Sequence, residues 1–264
     1  QEHRAKRLWI VPPVALALAG HPLVDQFDLS SVQQVNSAAA PMGAELGRAV
    51  AERLGCIVTQ AYGMTELSPG SHVMPVTAPR DGAVGVTVPS TRCRIVDPDK
   101  GTDCPVETDG ELWVQGPQVM KGYLNNPEAT AECLDRDGWL RTGDIGCFDR
   151  DGYLFIHDRL KELIKYKGFA VPPAEVEAAL QTHPGIRDAA VIGVADAEAG
   201  EVPMAFIIPA GDAPPDLASV QSHLEPLLAH YKQVRRIEVV EEIPKSASGK
   251  ILRRVLRDGL SGKT

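Results

Sequence analysis

Between residues 82 and 158 the chain is cut into short β-rich runs by repeated turn dipeptides. The runs are Cys93–Val96, Glu111–Val114 and Tyr153–Ile156, punctuated by Asp97-Pro98, Asp109-Gly110, Asp137-Gly138 and Asp151-Gly152. Strands this short must share their apolar faces, which predicts a small barrel-like or sandwich-like subdomain over about residues 82–158. After Arg159 the period changes. Pro172-Pro173 open a helix with Val176, Ala179 and Leu180 on one side, and Gly185 follows it. Strands are expected at Ala189–Val194, Met204–Ile208 and Arg236–Val240, and helices at Leu217–Leu228 and from about Ile251 to Leu260. Residues 160–264 therefore read as a small α+β domain. Upstream, Leu46, Val50 and Leu54 place a helix over Gly43–Leu54, stopped by Gly55. Leu8-Trp9-Ile10-Val11 reads as a buried strand whose sheet partners are absent from the sequence, so the chain is expected to be the C-terminal part of something longer.

Composition narrows the function. Of 264 residues, 44% are hydrophobic and 23% charged, an ordinary globular balance. The formal charge of −8 argues against a general nucleic-acid surface. The apolar stretch Leu8–Ala19 is too short to span a bilayer, contains Pro12 and Pro13, and lacks the order of a secretion signal. Cys56, Cys93, Cys104, Cys133 and Cys147 are odd in number, with no CxxC pair and no histidines spaced as zinc partners. Free thiols in a reducing cytoplasm are the expectation. The sequence carries no signal for oligomeric state.

Four segments carry candidate chemistry. In Gln60-Ala61-Tyr62-Gly63-Met64-Thr65-Glu66 an aromatic face sits beside a glycine that permits close approach, followed by a hydroxyl and a carboxylate suited to phosphate and hydrated Mg²⁺. The alternative there is a strand end with a polar turn. In Trp139-Leu140-Arg141-Thr142-Gly143-Asp144, Asp144 can accept two hydrogen bonds from ribose hydroxyls or merely cap a turn. Arg159 to Gly168 places Lys161, Lys165 and Lys167 where the pattern switches domain, fitting a hinge or a solvated connector. Pro244 to Arg254 carries Lys250 in a loop of small residues before an amphipathic helix. Ile251 follows Lys250, so the Walker spacing is absent and this is no P-loop. His72 stands outside the catalytic set, because a lone histidine is more often structural.

Taken in order, these segments resemble the adenylate-forming superfamily of acyl-CoA synthetases, luciferases and peptide-synthetase adenylation domains. Gln60–His72, Gly116–Tyr123 and Lys161–Phe169 look most like bacterial 4-coumarate–CoA ligases. The resemblance implies a mixed α/β and α+β fold. Residues 1–159 would be the C-terminal part of a large AMP-binding domain, and 160–264 a mobile small domain turning about a hinge at Lys161. It implies ATP, Mg²⁺ and CoA as co-substrates and cofactor, a small carboxylic acid as substrate, and no membrane or nucleic-acid partner. By the same resemblance Tyr62 stacks on adenine, walled by Ala39, Ala40, Ala61 and Gly63. Thr65 contacts the α-phosphate, Glu66 holds Mg²⁺, and Asp144 and Arg159 take the ribose. Lys250 bridges the acyl carboxylate and α-phosphate. Lys165, Lys167 and Gly168 form the thioester face, and Met64, Pro69 and Gly70 line the acyl pocket.

The chain also departs from the family. The Ser/Thr/Gly-rich phosphate loop is not in the sequence, Ala170 stands where glutamine is common, and Ala38 replaces a frequent glycine. The expectation is therefore an aryl-acid–CoA ligase of which these residues alone are inactive. The alternatives are a truncated, non-catalytic AMP- or CoA-binding module and an adenylation domain that loads a carrier protein.

Overall fold

Three parallel strands, β1 (Arg7–Ile10), β2 (Gln34–Ser37) and β3 (Ile57–Gly63), form the first layer, in the order β1-β2-β3. The helices α1 (Pro12–Gly20) and α2 (Ala44–Leu54) make the crossovers that parallel pairing requires. Two prolines sit in the first turn of α1, where their missing N–H groups cost nothing. Gly43 precedes α2, and Gly55, at φ 62°, ends it in the left-handed conformation. Ala15, Val32, Val35, Met42 and Val50 pack between these helices and the sheet.

The computed structural model describes residues 1–40, 42–246 and 249–261 and divides the chain into two units, Gln1–Ile156 and His157–Thr264. One expectation is corrected at once. β1 does not lack a partner: it pairs with β2 from Arg7↔Gln34 to Ile10↔Ser37, and it is only half buried, with Trp9 71% exposed. The apolar run had suggested burial on both faces, whereas this strand is covered on one.

Two short antiparallel strands, β4 (Gly70–Val73) and β5 (Val86–Thr87), extend the first sheet. A second sheet follows in the order β6 (Arg92–Val96), β7 (Gly110–Gln115), β8 (Leu140–Phe148) and β9 (Leu154–Arg159), with α3 (Pro127–Cys133) inserted before β8. The Leu154 backbone exchanges hydrogen bonds with Val84 and Gly85, which ties this sheet back to the segment before β5. Leu67, Leu112, Val114, Leu140 and Leu154 form the buried cluster beneath.

The second unit is one sheet in the order β11-β10-β13-β12, with β14 beside β13. Its strands are β10 (Ile164–Tyr166), β11 (Phe169–Val171), β12 (Ile186–Asp196), β13 (Gly200–Pro209) and β14 (Arg236–Val239). The two-residue period of a strand explains its near-continuous apolar runs. Ala189, Val191, Ala205 and Ile207 face α4 (Pro173–Leu180) and α5 (Leu217–Leu224); Ala190, Ile192, Phe206 and Ile208 face α6 (Arg253–Ser261).

Helix α5 ends at Leu224 rather than Leu228, because Pro226 has no N–H to donate to the ladder. Helix α6 begins at Arg253 rather than Ile251, since Ile251 bridges to Lys245 and the Leu252 N–H donates to the Pro244 carbonyl. Within Arg159–Gly168, read as a hinge or charged connector, Leu160–Glu162 form a 3-10 turn and the residues from Ile164 onward enter the β10–β11 hairpin. Among the described residues no helix is long and apolar enough to cross a membrane.

Inside this unit, Arg253 donates to both oxygens of Glu177 at 2.8 Å and to the Val191 carbonyl at 3.1 Å, while the Val191 N–H donates to Glu177. Both side chains are nearly buried, at 11% and 8% exposed. Burial pushes the Glu177 carboxyl upward, and the Arg253 charge opposes that shift. A buried pair of this kind punishes the loss of one partner far more than the loss of both. Arg253→Met is expected to destabilise the second unit by about 3–5 kcal/mol in urea unfolding, and adding Glu177→Met to recover most of that loss.

Candidate active site

Parallel sheets bind ligands at the carboxyl ends of their strands. Here those ends deliver Ala38–Ala40 after β2, and Tyr62–Glu66, which runs from the last residues of β3 into the turn that follows. The Gln60 side chain pins the first loop by accepting from the Met42 N–H at 3.3 Å and donating to its carbonyl at 3.2 Å. Ala39 holds φ 74°, a conformation uncommon for a residue with a Cβ. At the end of β3 the chain folds back on itself so tightly that a Cβ on Gly63 would overlap the Pro69 carbonyl and the Gly70 Cα. Only glycine fits there. Thr65–Leu67 then form a single 3-10 turn, which the fully buried Leu67 anchors into the core.

Two hydrogen bonds hold this turn to the β-rich subdomain. The Tyr62 hydroxyl donates to Asp144 Oδ2 at 2.5 Å, and the Tyr123 hydroxyl donates to Glu66 Oε1 at 2.6 Å. The Met120 N–H adds a bond to the Glu66 carbonyl at 2.8 Å. Hydrogen bonding to Glu66 and burial push the Tyr123 phenol well above the usual range, so it stays a neutral donor.

Asp144 is aimed by a β-bulge. β7 and β8 pair at Glu111↔Ile145 and at Trp113↔Arg141, and the register shifts between them around Thr142-Gly143-Asp144. Gly143 sits at φ 70°, and its N–H donates to Glu111 Oε1 at 3.0 Å. The Thr142 hydroxyl donates to the Leu112 carbonyl at 2.7 Å and accepts from the Asp144 N–H at 3.1 Å. Trp113 Nε1 donates to the second oxygen of Glu111 at 2.8 Å. The bulge is thus held at every step, leaving Asp144 only 5% exposed beside a half-buried Tyr62.

Behind Tyr62 lies His72, fully buried, opposite it in the β3–β4 register. The two rings meet edge-on with centroids 5.9 Å apart. Ser71 Oγ lies 2.9 Å from Nδ1 and Thr87 Oγ1 3.2 Å from Nε2, so both ring nitrogens are satisfied. Burial holds the imidazole neutral and lowers its pKa to about 3. Sequence reasoning set His72 aside, and the structure makes it the support of the Tyr62 ring. Tyr123, Thr142 and Glu111 were also missed. Their only signals were the Gly122-Tyr123 and Thr142-Gly143-Asp144 motifs and an acidic residue within an apolar strand.

Of the expected site residues, the first unit brings Tyr62, Asp144 and Glu66 into one bonded neighbourhood, with Gly63, Met64, Thr65, Pro69 and Gly70 on the same turn. Ala61 lies within β3, and Ala39 and Ala40 sit at the end of the neighbouring β2. Glu66 and Thr65 offer hard oxygens, the donor type Mg²⁺ takes, and one carboxylate oxygen is already in use, which fits a cation that keeps most of its water.

The second unit carries the rest. Arg159 ends β9, and Lys161 lies in the 3-10 turn Leu160–Glu162. Lys165 is on β10, with its N–H bonded to Glu201. Lys167 and Gly168, at φ 47° and 83°, form the tight hairpin turn, and the exposed Ala170 stands opposite Lys165. Asp158, adjacent to Arg159, is buried and accepts from the Ala174 N–H at 2.8 Å, so it caps α4 rather than facing a ligand. Lys250 is exposed on a loop closed by the Lys245–Ile251 bridge, with its N–H donating to Ser246 Oγ at 3.2 Å. Ala247 and Ser248 of the same motif lie outside the described residues.

The AMP-binding enzyme family matches residues 1–124, and the AMP-binding enzyme C-terminal domain matches residues 175–250. The chain belongs to the adenylate-forming superfamily. It is 48% identical over 258 residues to 4-coumarate–CoA ligase 2 of Oryza sativa subsp. japonica, covering 96% of this chain and 45% of that one. It is equally similar to 4-coumarate–CoA ligase 1 of Solanum tuberosum, covering 95% and 47%. ATP-bound MatB from Rhodopseudomonas palustris superposes with a TM-score of 0.91 at 33% identity, covering 97% of this chain and 51% of that one. The anthranilate–CoA ligase AuaEII in complex with anthranoyl-AMP gives a TM-score of 0.88 at 30% identity, covering 99% and 51%. The mixed α/β fold is therefore that of adenylate-forming enzymes, and the chain spans about half the length of the curated relatives it matches.

His72 makes acid a selective stress on this site. The unfolded chain takes up a proton near pH 6.5 that the native site refuses until about pH 3. Stability tied to His72 is therefore present above pH 6.5 and drains away as pH falls toward 3. In urea unfolding, His72→Leu is expected to reduce the loss of stability between pH 7 and pH 4 by about 3 kcal/mol, since each unit is about 1.4 kcal/mol.

Proposed function

We propose that this chain carries the nucleotide and thioester machinery of an ATP-dependent acid–CoA ligase, with an aryl acid such as 4-coumarate as substrate. The observation that carries the reading is the Tyr62–Asp144 bond. It joins an aromatic face and a carboxylate at the carboxyl edge of a parallel sheet, a pairing suited to adenine and ribose together. Support for the substrate class comes from the relatives, which are 4-coumarate–CoA ligases and an anthranilate–CoA ligase solved in complex with anthranoyl-AMP.

The chemistry runs in two steps. A carboxylate oxygen attacks the α-phosphorus of ATP, the bond to pyrophosphate breaks, and an acyl-adenylate remains. The CoA sulfur then attacks the acyl carbon, its proton departs, and the bond to AMP breaks to leave the thioester. In this reading Tyr62 stacks on adenine between Ala39, Ala40, Ala61 and Gly63. Asp144 and Arg159 hold the ribose, and Thr65 donates to the α-phosphate. Mg²⁺, held at Glu66, supplies positive charge against the phosphates when bound. Lys250 offsets the negative charge that builds on the phosphorus, an electrostatic role rather than a proton transfer. Lys161 is the hinge, and Lys165, Lys167 and Gly168 present the face used with CoA. Met64, Pro69 and Gly70 form a wall of the acyl pocket, made roomier by Gly70. Five half-buried free thiols suit a cytoplasmic protein.

A second reading, a binding module without catalysis, draws on the chain's spanning half the length of its relatives. It would bind AMP yet release no pyrophosphate in the presence of ATP and acids.

The division of labour is testable in the protein that carries this chain. Lys250→Ala is expected to slow pyrophosphate release at least 100-fold, about 3 kcal/mol of transition-state stabilisation, while thioester formation from supplied acyl-adenylate stays within tenfold. Adenylation within a few-fold of wild type would refute the role of Lys250. Calorimetry adds an independent arm: Asp144→Ala is expected to weaken AMP binding at least tenfold, about 1.4 kcal/mol.

A further inference from the structure

We propose that Tyr123 is a positioning residue that makes Glu66 a one-oxygen metal ligand and so sets a preference for Mg²⁺ over Ca²⁺. The inference rests on the reading of Glu66 as the cation-binding carboxylate, and it adds the residue and the selectivity.

Both partners of the bond are fixed by other contacts. Glu66 sits on the turn anchored by Leu67, with its carbonyl accepting from the Met120 N–H at 2.8 Å. Tyr123 is set by its own N–H, which donates to Thr130 Oγ1 at 2.9 Å; that hydroxyl donates in turn to the Asn126 carbonyl at 2.8 Å. Asn126 caps α3 through a side-chain bond from the Ala129 N–H at 3.0 Å, so the tyrosine is tied to a helix end rather than to a loose loop. Gly122, at φ 145°, lets the chain pass against Thr130, where a Cβ would crowd the threonine side chain. From this frame the Tyr123 hydroxyl donates to Glu66 Oε1 at 2.6 Å, a charge-assisted bond that commits that oxygen and leaves Oε2 for a cation.

The consequence is a difference between two ions. Mg²⁺ wants six ligands at about 2.0–2.1 Å, keeps several waters and is satisfied by one carboxylate oxygen. Ca²⁺ takes about six to eight oxygens at about 2.3–2.6 Å and gains from a carboxylate that offers both. Holding Oε1 in a hydrogen bond denies Ca²⁺ its bidentate ligand at little cost to Mg²⁺. Tyr123 is 41% exposed, its phenol also meets the Cys133 thiol, and removing its hydroxyl leaves the ring in place.

The test is calorimetric binding of ATP to the chain with Mg²⁺, with Ca²⁺ and with neither, so turnover is not the readout. Wild type is expected to bind ATP more tightly with Mg²⁺ than with Ca²⁺. Tyr123→Phe is expected to narrow that ratio at least fivefold, mainly by tighter binding with Ca²⁺, and Tyr123→Leu to do the same. Glu66→Gln is expected to abolish the metal dependence for both ions. A ratio that both Tyr123 variants leave within twofold of wild type, with metal-dependent ATP binding intact, overturns the positioning role alone. ATP binding by the wild type that ignores metal, or no binding, overturns the nucleotide reading and this inference with it.

Discussion

A hydrogen bond from the Tyr62 hydroxyl to the Asp144 carboxylate ties together the two halves of the proposed nucleotide site. Tyr62 comes from the end of a parallel strand, and Asp144 comes from a bulge in an antiparallel sheet 82 residues further along the chain. Each position is held by contacts of its own. The strand end depends on Gly63 fitting under Pro69 and Gly70, and on a buried neutral His72 filling the space behind the ring. The bulge depends on Thr142 and Glu111 taking the backbone groups that the register shift leaves over. The 2.5 Å bond is where these two solutions meet.

This arrangement explains why so many polar groups are buried in a small volume. His72, Glu111, Thr142 and Asp144 are all at or below 8% exposed, and each makes a hydrogen bond within the first unit. Buried polar networks are expensive when half satisfied and rigid when complete. In the proposed function rigidity serves orientation, because the Tyr62 ring and the Asp144 carboxylate would have to keep a fixed separation for one nucleotide to use both. The second unit solves a different problem. Its Lys250 sits on an exposed loop, but the loop is framed by a bridge at Lys245–Ile251, by Lys245 on Asp188, and by the Arg253–Glu177 pair three residues beyond.

Much of this was legible in the sequence, and the failures are instructive. Three of the four strands of the second sheet, β6, β7 and β9, announced themselves through turn dipeptides, whereas β8 did not; α2 did so through its apolar spacing and Gly55. The motifs Tyr62–Glu66 and Thr142–Asp144 were visible as residue types in order. That Tyr62 and Asp144 bond each other was not, since a contact spanning 82 residues leaves no local period. The partner of β1 was missed because Gln34–Ser37 is a polar tetrapeptide, and its burial comes from the layer above rather than from its own composition. The hairpin at the end of Arg159–Gly168 was not visible in the charges of that segment, since it depends on two positive φ angles at Lys167 and Gly168. His72 was read as structural rather than catalytic, in keeping with its buried place, though that place emerges only from pairing across β3, β4 and β5.

The most direct measurement is a crystal structure of the chain grown with AMP. The account predicts adenine lying against the Tyr62 ring, with ribose hydroxyls within hydrogen-bonding distance of the Asp144 carboxylate. Nucleotide density at another surface, with the Tyr62 face and Asp144 untouched, would contradict it.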